Sequence, residues 1–297
     1  MPGEARPLSW VIDAAAGYFA RHGVDSPRAT AEHLAARLFG CSRPALAAKA
    51  DAPVSAAAQS AMGRGMRRIA GGEPLQYVIG QWDFRDFTLK TDPRALIPRP
   101  ETEMLVDLAL SSPRLRSATG PLRLLDYGTG SGCVAIALAR AFPQSLVAAV
   151  DVSPDALALA ALNAASLGVA DRIRFIDASK IDLADAFEPA SFNAIVSNPP
   201  YIPTADYEKL GRKVRDFEPR LALDGGPDGL GVVRQVCEEA GLLLAPEGEL
   251  YLELDAESGQ AEKVSKLLEE LGFDHARRHR DLAGGERFVS AALAAGI

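Results

Sequence analysis

Apolar and polar positions along the chain follow two different periods, and the change between them divides the sequence. Up to about residue 74 the apolar positions read as short helices with no strand signal. Ser26-Pro27 marks an N-cap and a proline at the first helical position, with Leu34, Leu38 and Phe39 as the apolar face. Ser42-Arg43-Pro44 repeats the start signal, and a further helix over 54–69 is ended by Gly71-Gly72 and Pro74. Nineteen of the first 70 residues are alanine, which fits a small helical bundle. Over 75–98 the character changes. Tyr77, Ile79, Trp82, Phe84, Phe87 and Leu89 form strands well and lie at short spacing, so a hairpin linker is expected. The segment 93–100, rich in proline and arginine, leads into a helix over 101–110.

From residue 122 onward strands and helices alternate, the pattern of a mainly parallel sheet covered on both faces. Strands are expected over 122–127, 146–152, 173–177, 192–197 and 249–254, with helices over 131–142, 154–167, 230–244 and 259–271. Two closing strands, near 273–280 and 286–292, are joined only by the short loop 281–285. A parallel crossover needs a dozen or more residues, so this pair must be antiparallel. The expected fold class is therefore α/β, a Rossmann-like seven-stranded sheet with an antiparallel last strand. It resembles the class I S-adenosylmethionine-dependent methyltransferases more than the dinucleotide-binding dehydrogenases. The expected domains are a helical domain over 1–74, the hairpin linker over 75–95 and the α/β domain over 96–297.

Two motifs carry candidate chemistry. Asp126-Tyr127-Gly128-Thr129-Gly130-Ser131-Gly132 lies where the first strand turns into a helix. Its glycines accept positive φ and let a ligand approach the backbone, and the helix N-terminus offers free N–H donors. Asp151 ends the next strand, where a carboxylate can accept from both ribose hydroxyls. Together they point to an adenosine-containing cofactor. The spacing G-x-G-x-G differs from the pyrophosphate pattern and weakens the case for NAD. Asn198-Pro199-Pro200-Tyr201 follows the fourth strand and faces the same cleft. The two prolines stiffen the loop and remove donors. The carbonyls of Asn198 and Pro199 and the Asn198 side-chain oxygen remain as acceptors for a planar –NH2 group, with Tyr201 placed to pack on a flat amide or base. The competing reading is a simple turn capped by Tyr201.

The sequence resembles the HemK/PrmC family of peptide-chain release factor glutamine methyltransferases over nearly its whole length. The segments that carry the resemblance are G-G-E-P-L-Q-Y-V-I-G at 71–80, L-I-P-R-P-E-T-E at 96–103, D-Y-G-T-G-S-G-C-V-A-I-A-L-A at 126–139, V-S-N-P-P-Y-I-P at 196–203 and F-E-P-R-L-A-L-D-G-G-P-D-G-L at 217–230. The second segment discriminates, because N-P-P-Y is shared with DNA adenine methyltransferases and a ribosomal-protein glutamine methyltransferase. The resemblance implies S-adenosylmethionine as methyl donor and the Gly-Gly-Gln glutamine of class 1 release factors as acceptor. It implies that Gly128, Thr129, Gly130, Ser131 and Gly132 wrap the donor, that Asp151 holds the ribose, and that Asn198, Pro199, Pro200 and Tyr201 hold the glutamine. Asn198, Pro199 and Tyr201 are then the catalytic candidates, with Asn198 also bordering the cofactor, and the helical region helps to dock the release factor. The chain departs from the family pattern at Tyr127, where a small aliphatic residue is usual, and at Asp255, where glycine is expected. The segment 177–191 also lacks the usual residue beside adenine, leaving Ala178 and Ser179 as positional candidates.

Composition narrows the alternatives. The 297 residues hold enough apolar sequence (48%) for a large core without disulfides or a structural metal. Uncharged stretches such as 156–170, with Asn163 and Ser166, are too short to span a membrane, and the N-terminus lacks the apolar stretch of a signal peptide. Cys41, Cys133 and Cys237 are odd in number and widely spaced, which suits a reducing cytoplasm. His275 and His279 fall in a strand among arginines and are given a structural role, so no metal is expected. The net charge of −7 divides into +4 over residues 1–70 and −11 over the rest. An acidic body speaks against a nucleic-acid substrate and so against DNA adenine methylation. A non-catalytic sensor of an adenosyl ligand is the alternative outside enzymology.

Overall fold

The computed structural model describes residues 6–295. The expected helical domain therefore begins, and the expected α/β domain ends, outside the described residues. Two compact units emerge: one comprises the described residues up to Gln81 together with Arg212–Phe217, the other Trp82–Gly211 and Glu218 onward.

The first unit is mainly helical. Its first helix, Leu8–Arg21, buries Leu8, Val11, Ile12, Ala15 and Phe19, the three-to-four spacing that keeps side chains on one face. Helices Pro27–Leu38 and Ala56–Ala70 pack closely: a Cβ on Gly65 would lie 2.8 Å from Leu34 Cδ1. Several local expectations are corrected. Ser26 sits at the helix start but in the left-handed region at φ 46°, and its side chain makes no capping bond. Leu38 is exposed, so Leu34 carries the buried face. The third helix starts at Ala56, capped by Ser55, because Val54 belongs to an antiparallel pair, Arg6–Pro7 with Pro53–Val54. Strands of two residues leave no alternation in the sequence to read. Tyr77 and Ile79 lie in a helix, Leu75–Ile79, which starts after Pro74 and ends at left-handed Gly80. The expected hairpin is confined to Gln81–Phe84 and Phe87–Lys90.

The second unit is a seven-stranded sheet flanked by helices. Helix α1 (Pro100–Leu110) precedes β1 (Arg123–Tyr127), α2 (Cys133–Ala141), β2 (Leu146–Asp151), α3 (Pro154–Ser166), β3 (Ile173–Asp177) and β4 (Phe192–Ser197). Then come α4 (Gly231–Leu243), β5 (Leu244–Glu253), α5 (Gln260–Glu270), β6 (Phe273–Arg280) and β7 (Glu286–Leu293). The strand order is β6-β7-β5-β4-β1-β2-β3, and only β7 runs antiparallel to its neighbours. The α/β expectation and the antiparallel last strand are both met.

Period-two alternation along the strands builds two cores. Leu124, Ala149 and Val196 face α1 and α2, whereas Leu125, Val150, Ile195 and Leu252 face α4 and α5. Helix α2 starts at Cys133 rather than 131 because Gly132 adopts φ 85°, outside helical geometry. The parallel strands β1, β2 and β4 end together at Tyr127, Asp151 and Ser197. Both candidate motifs therefore leave the sheet at one edge, beside the reversal of strand order between β1 and β4. Among the described residues every peptide bond is trans, including those before Pro199 and Pro200. None of the described helices is long and apolar enough to cross a membrane.

Candidate active site

The glycine turn is held from below by a buried carboxylate. Asp126 Oδ2 accepts from the Thr129 hydroxyl at 2.6 Å and from the Ala135 N–H at 2.9 Å, tying the turn to α2. Burial pushes Asp126 up to about 7 despite these donors. The N–H groups of Gly128 and Thr129 both donate to the Val150 carbonyl, which joins the turn to β2. Gly128, Gly130 and Gly132 all have positive φ, and a Cβ on Gly132 would lie 3.0 Å from Ala160 Cβ on α3. Asp151 accepts from the Gly130 N–H through Oδ2 and from the Ser153 N–H through Oδ1, each at 2.9 Å. Each oxygen keeps acceptor capacity towards the cleft. Burial raises the Asp151 pKa, and the backbone donors oppose it. Cys133 is buried, and desolvation pushes its thiol up to about 12, so it is no nucleophile.

The second motif forms another wall of the same cleft. Residues lining it include Asp126 to Ser131, Asp151 to Ser153, and Asn198, Pro199 and Pro200, completed by Arg94 to Arg99, Thr102, Leu221 and Gln235. The Asn198 side chain donates from Nδ2 to Thr102 Oγ1 at 3.0 Å, and Thr102 donates to Glu253 Oε2 at 2.9 Å. Glu253 is 1% exposed, and burial pushes it up to about 7 against the opposing effects of Thr102 and Arg287. Behind the prolines, a Cβ on Gly225 would meet the Pro200 carbonyl at 2.6 Å and one on Gly229 the Tyr201 carbonyl at 2.3 Å. The glycines of D-G-G-P-D-G thus let a second strand of backbone lie directly against N-P-P-Y.

Two expected positions gain local detail. Tyr201 is half-buried beside the cleft-lining prolines; its phenol feels Glu253, Arg287 and Arg99, and its carbonyl accepts from Gln260 Nε2 at 2.9 Å. Desolvation raises its phenol well above the usual range. Of the two positions considered beside adenine, Ala178 borders the cleft, whereas Ser179 turns to Asp177 with a 2.5 Å hydrogen bond. The departures also find local explanations. Tyr127 packs towards Glu239, which accepts from Gln235 Nε2 at 2.9 Å. Asp255 accepts from the Ser258 N–H at 2.8 Å and closes the turn before α5. His279 lies in β6 with Nε2 2.8 Å from Ser290 Oγ.

Several cleft residues had no role assigned from sequence. Buried Glu218 accepts from the Ile97 N–H at 3.1 Å and pairs with Arg99 at 2.5 Å, joining 94–99 to 218–222 along one side of the cleft. Both partners lie within segments quoted for the resemblance. Thr102 is the threonine of I-P-R-P-E-T-E, whose pattern marked the segment without indicating which side chain does what.

Comparison with known proteins agrees with this architecture. Residues 11–80 match the model of the PrmC N-terminal domain, and residues 112–213 match the methyltransferase small domain. The release factor glutamine methyltransferase of Geobacter sulfurreducens is 39% identical over 291 residues, covering 96% of this chain and 97% of that protein. The chain belongs to the release factor glutamine methyltransferase family. The family member from Deinococcus radiodurans is 40% identical over 286 residues, covering 96% of this chain and 98% of that one. A methyltransferase structure from Pyrococcus furiosus superposes with a TM-score of 0.50 at 19% identity, covering 69% of this chain and 88% of that one, which shows the shared fold. As a methyltransferase of this family, the chain uses S-adenosylmethionine as methyl donor. The cleft fits that molecule: positive-φ glycines bare the backbone, Asp151 keeps acceptors for hydroxyls, and Val152 and Ala178 offer apolar surface.

Proposed function

We propose that the chain methylates the side-chain amide nitrogen of the glutamine in the Gly-Gly-Gln motif of class 1 release factors. The observation that carries this reading is the placement of Asn198, Pro199 and Pro200 in the same cleft as Gly128 to Ser131, within a chain of this family. Gly128, Thr129, Gly130, Ser131 and Gly132 hold the donor's methionine and adenosine portions, and Asp151 accepts from its ribose hydroxyls. Asn198 and the Pro199 carbonyl hold the glutamine amide, and Pro200 stiffens the loop. Tyr201 anchors the loop through its carbonyl, which accepts from Gln260.

A carboxamide nitrogen is a poor nucleophile because its lone pair is delocalised, so alignment is the protein's main contribution. Well-oriented reactants can supply about 7–11 kcal/mol of barrier reduction. Bound S-adenosylmethionine supplies a methyl carbon whose bond to sulfur breaks, leaving the pair on sulfur, as glutamine nitrogen forms the new C–N bond and releases one proton. Acceptors at Asn198 and Pro199 favour the positive charge that grows on that nitrogen.

The first unit is assigned to release-factor docking on its excess of positive charge and the half-exposed Trp10, over which Arg6 stacks at 5.1 Å. No direct contact with nucleic acid is required, and the acidic balance of the remaining chain disfavours one. The test is labelled-methyl transfer to purified release factors with the Gly-Gly-Gln glutamine intact or replaced. Label confined to the intact substrate supports the assignment; label on both moves the acceptor elsewhere.

A further inference from the structure

The hydrogen bonds from Glu253 through Thr102 to Asn198 have a direction that chemistry dictates. An ionised carboxylate can only accept, so the single Thr102 hydroxyl proton must go to Glu253. The Thr102 oxygen is then left to accept from Asn198, which turns the amide so that Nδ2 faces Thr102 and Oδ1 faces away from it. We propose that Glu253 and Thr102 are positioning residues that fix the amide orientation of Asn198, so that its oxygen, not its NH2, is offered to the acceptor glutamine. The inference rests on the reading of Asn198 as the group that holds this amide.

Protonation of Glu253 reverses the chain. A carboxylic acid can donate to Thr102, whose hydroxyl is then free to donate to Asn198 Oδ1. The flipped asparagine presents NH2 to the glutamine NH2, donor against donor. Methyl transfer therefore requires ionised Glu253 and rises with pH. Glu253 is faced by Arg287 on β7, Arg99 and Glu101 at the start of α1, Cys133 at the start of α2, and Tyr201. Arg287 and Arg99 favour the carboxylate and Glu101 opposes it. Burial holds Cys133 and Tyr201 in their neutral forms. The net result, an acid raised to about 7, puts the reversal within a readily measured range. Asp126 is raised to about 7 as well, but it touches the glycine turn, so its titration is read in donor affinity rather than in turnover at saturating donor.

The full chain is assayed for methyl transfer to a release factor at saturating S-adenosylmethionine, across about two pH units either side of neutrality. Wild-type kcat rises through an inflection near 7. Glu253→Gln, which cannot ionise, loses that inflection. Thr102→Val lowers kcat by about ten- to a hundred-fold, the range typical when the partner orienting a functional side chain is removed. Donor Kd and release-factor KM stay within about twofold, since neither motif backbone is altered. Thr102→Ser restores most of the rate because it returns the hydroxyl. Wild-type kcat in Thr102→Val, or an inflection near 7 retained in Glu253→Gln, overturns the proposal. The near-isosteric Glu253→Gln keeps the question open to decision if Thr102→Val folds poorly. Transfer by the wild type with either of those results removes the relay alone. Absence of any transfer to the glutamine by the wild type removes the functional reading on which it rests, and the relay with it.

Discussion

The cleft has two walls built on different principles. The wall proposed to hold the donor is nearly all backbone: three positive-φ glycines and a carboxylate at the next strand end, fixed by Asp126 and Val150 only a few residues or one strand away. The wall proposed to hold the acceptor depends on side chains brought together over long distances. Asn198 bonds Thr102 across 96 residues of sequence, and Thr102 bonds Glu253 across 151. A backbone wall tolerates side-chain change but not added volume, whereas a side-chain wall fails when one polar atom is removed. Substitutions on the two sides should therefore separate binding from turnover.

The largest expected effect is on the acceptor wall. Asn198→Ala lowers kcat by about 10²–10³-fold, the loss typical of removing one preorganised hydrogen-bonding group at a reacting centre. Calorimetry should show donor Kd changed by less than about threefold; loss of donor binding would merge the two walls into one. On the donor wall, Asp151→Ala removes hydrogen bonds to a charged acceptor worth about 1.5–3 kcal/mol each. Donor Kd then rises by at least about tenfold, with kcat largely recovered at saturation. Gly132→Ala adds a Cβ 3.0 Å from Ala160 at a strained φ of 85°, costing about 1–3 kcal/mol in urea unfolding. An unchanged midpoint would mean that α3 can yield there. Arg99→Ala leaves Glu218 with only the Ile97 N–H. Because Arg99 is 32% exposed, the expected cost of about 1–3 kcal/mol lies below that of a fully buried pair. The smallest effect belongs to Tyr201→Phe, which costs less than about threefold in kcat because it keeps the ring and the backbone anchor to Gln260 and removes only the hydroxyl. A larger loss would place that hydroxyl at the substrate.

The walls also differ in how legible they were. The glycine motif and the acid after β2 are local signals: periodicity places the strands, and positive-φ glycines mark the turn. The same local logic located six of the seven strands to within two residues; β5 begins earlier, because α4 runs directly into it. Thr102 and Glu253 gave no such signal. One lies in the first turn of a helix and the other near the end of a buried strand, and only tertiary packing joins them. The Tyr201 side-chain direction was equally hidden, because N-P-P-Y specifies a stiff loop without specifying which side the ring occupies. Tyr77 and Ile79 were misread for a related reason. Aromatic and β-branched residues favour strands, but Pro74 and Gly80 bound a single helical turn there.

Buried acids give the two walls a shared dependence on pH. Asp126 and Glu253 both have folded-state values raised to about 7, above those of the unfolded chain. Their contribution to stability is fully present below the unfolded values and is lost as pH rises towards 7. Glu253→Gln removes one of these losses, so its thermal midpoint relative to wild type should improve between mildly acidic and mildly alkaline buffer.

In the proposed mechanism Asn198 holds a release-factor glutamine for methylation while the glycine turn holds the donor independently. The decisive measurement is mass spectrometry of a class 1 release factor after incubation with wild type and with Asn198→Ala, alongside calorimetric donor affinity for each. Wild type is expected to add one methyl group to the Gly-Gly-Gln glutamine and Asn198→Ala almost none, with nearly equal donor affinity. Methylation by Asn198→Ala at the wild-type rate, or methylation of a different residue by the wild type, would contradict it.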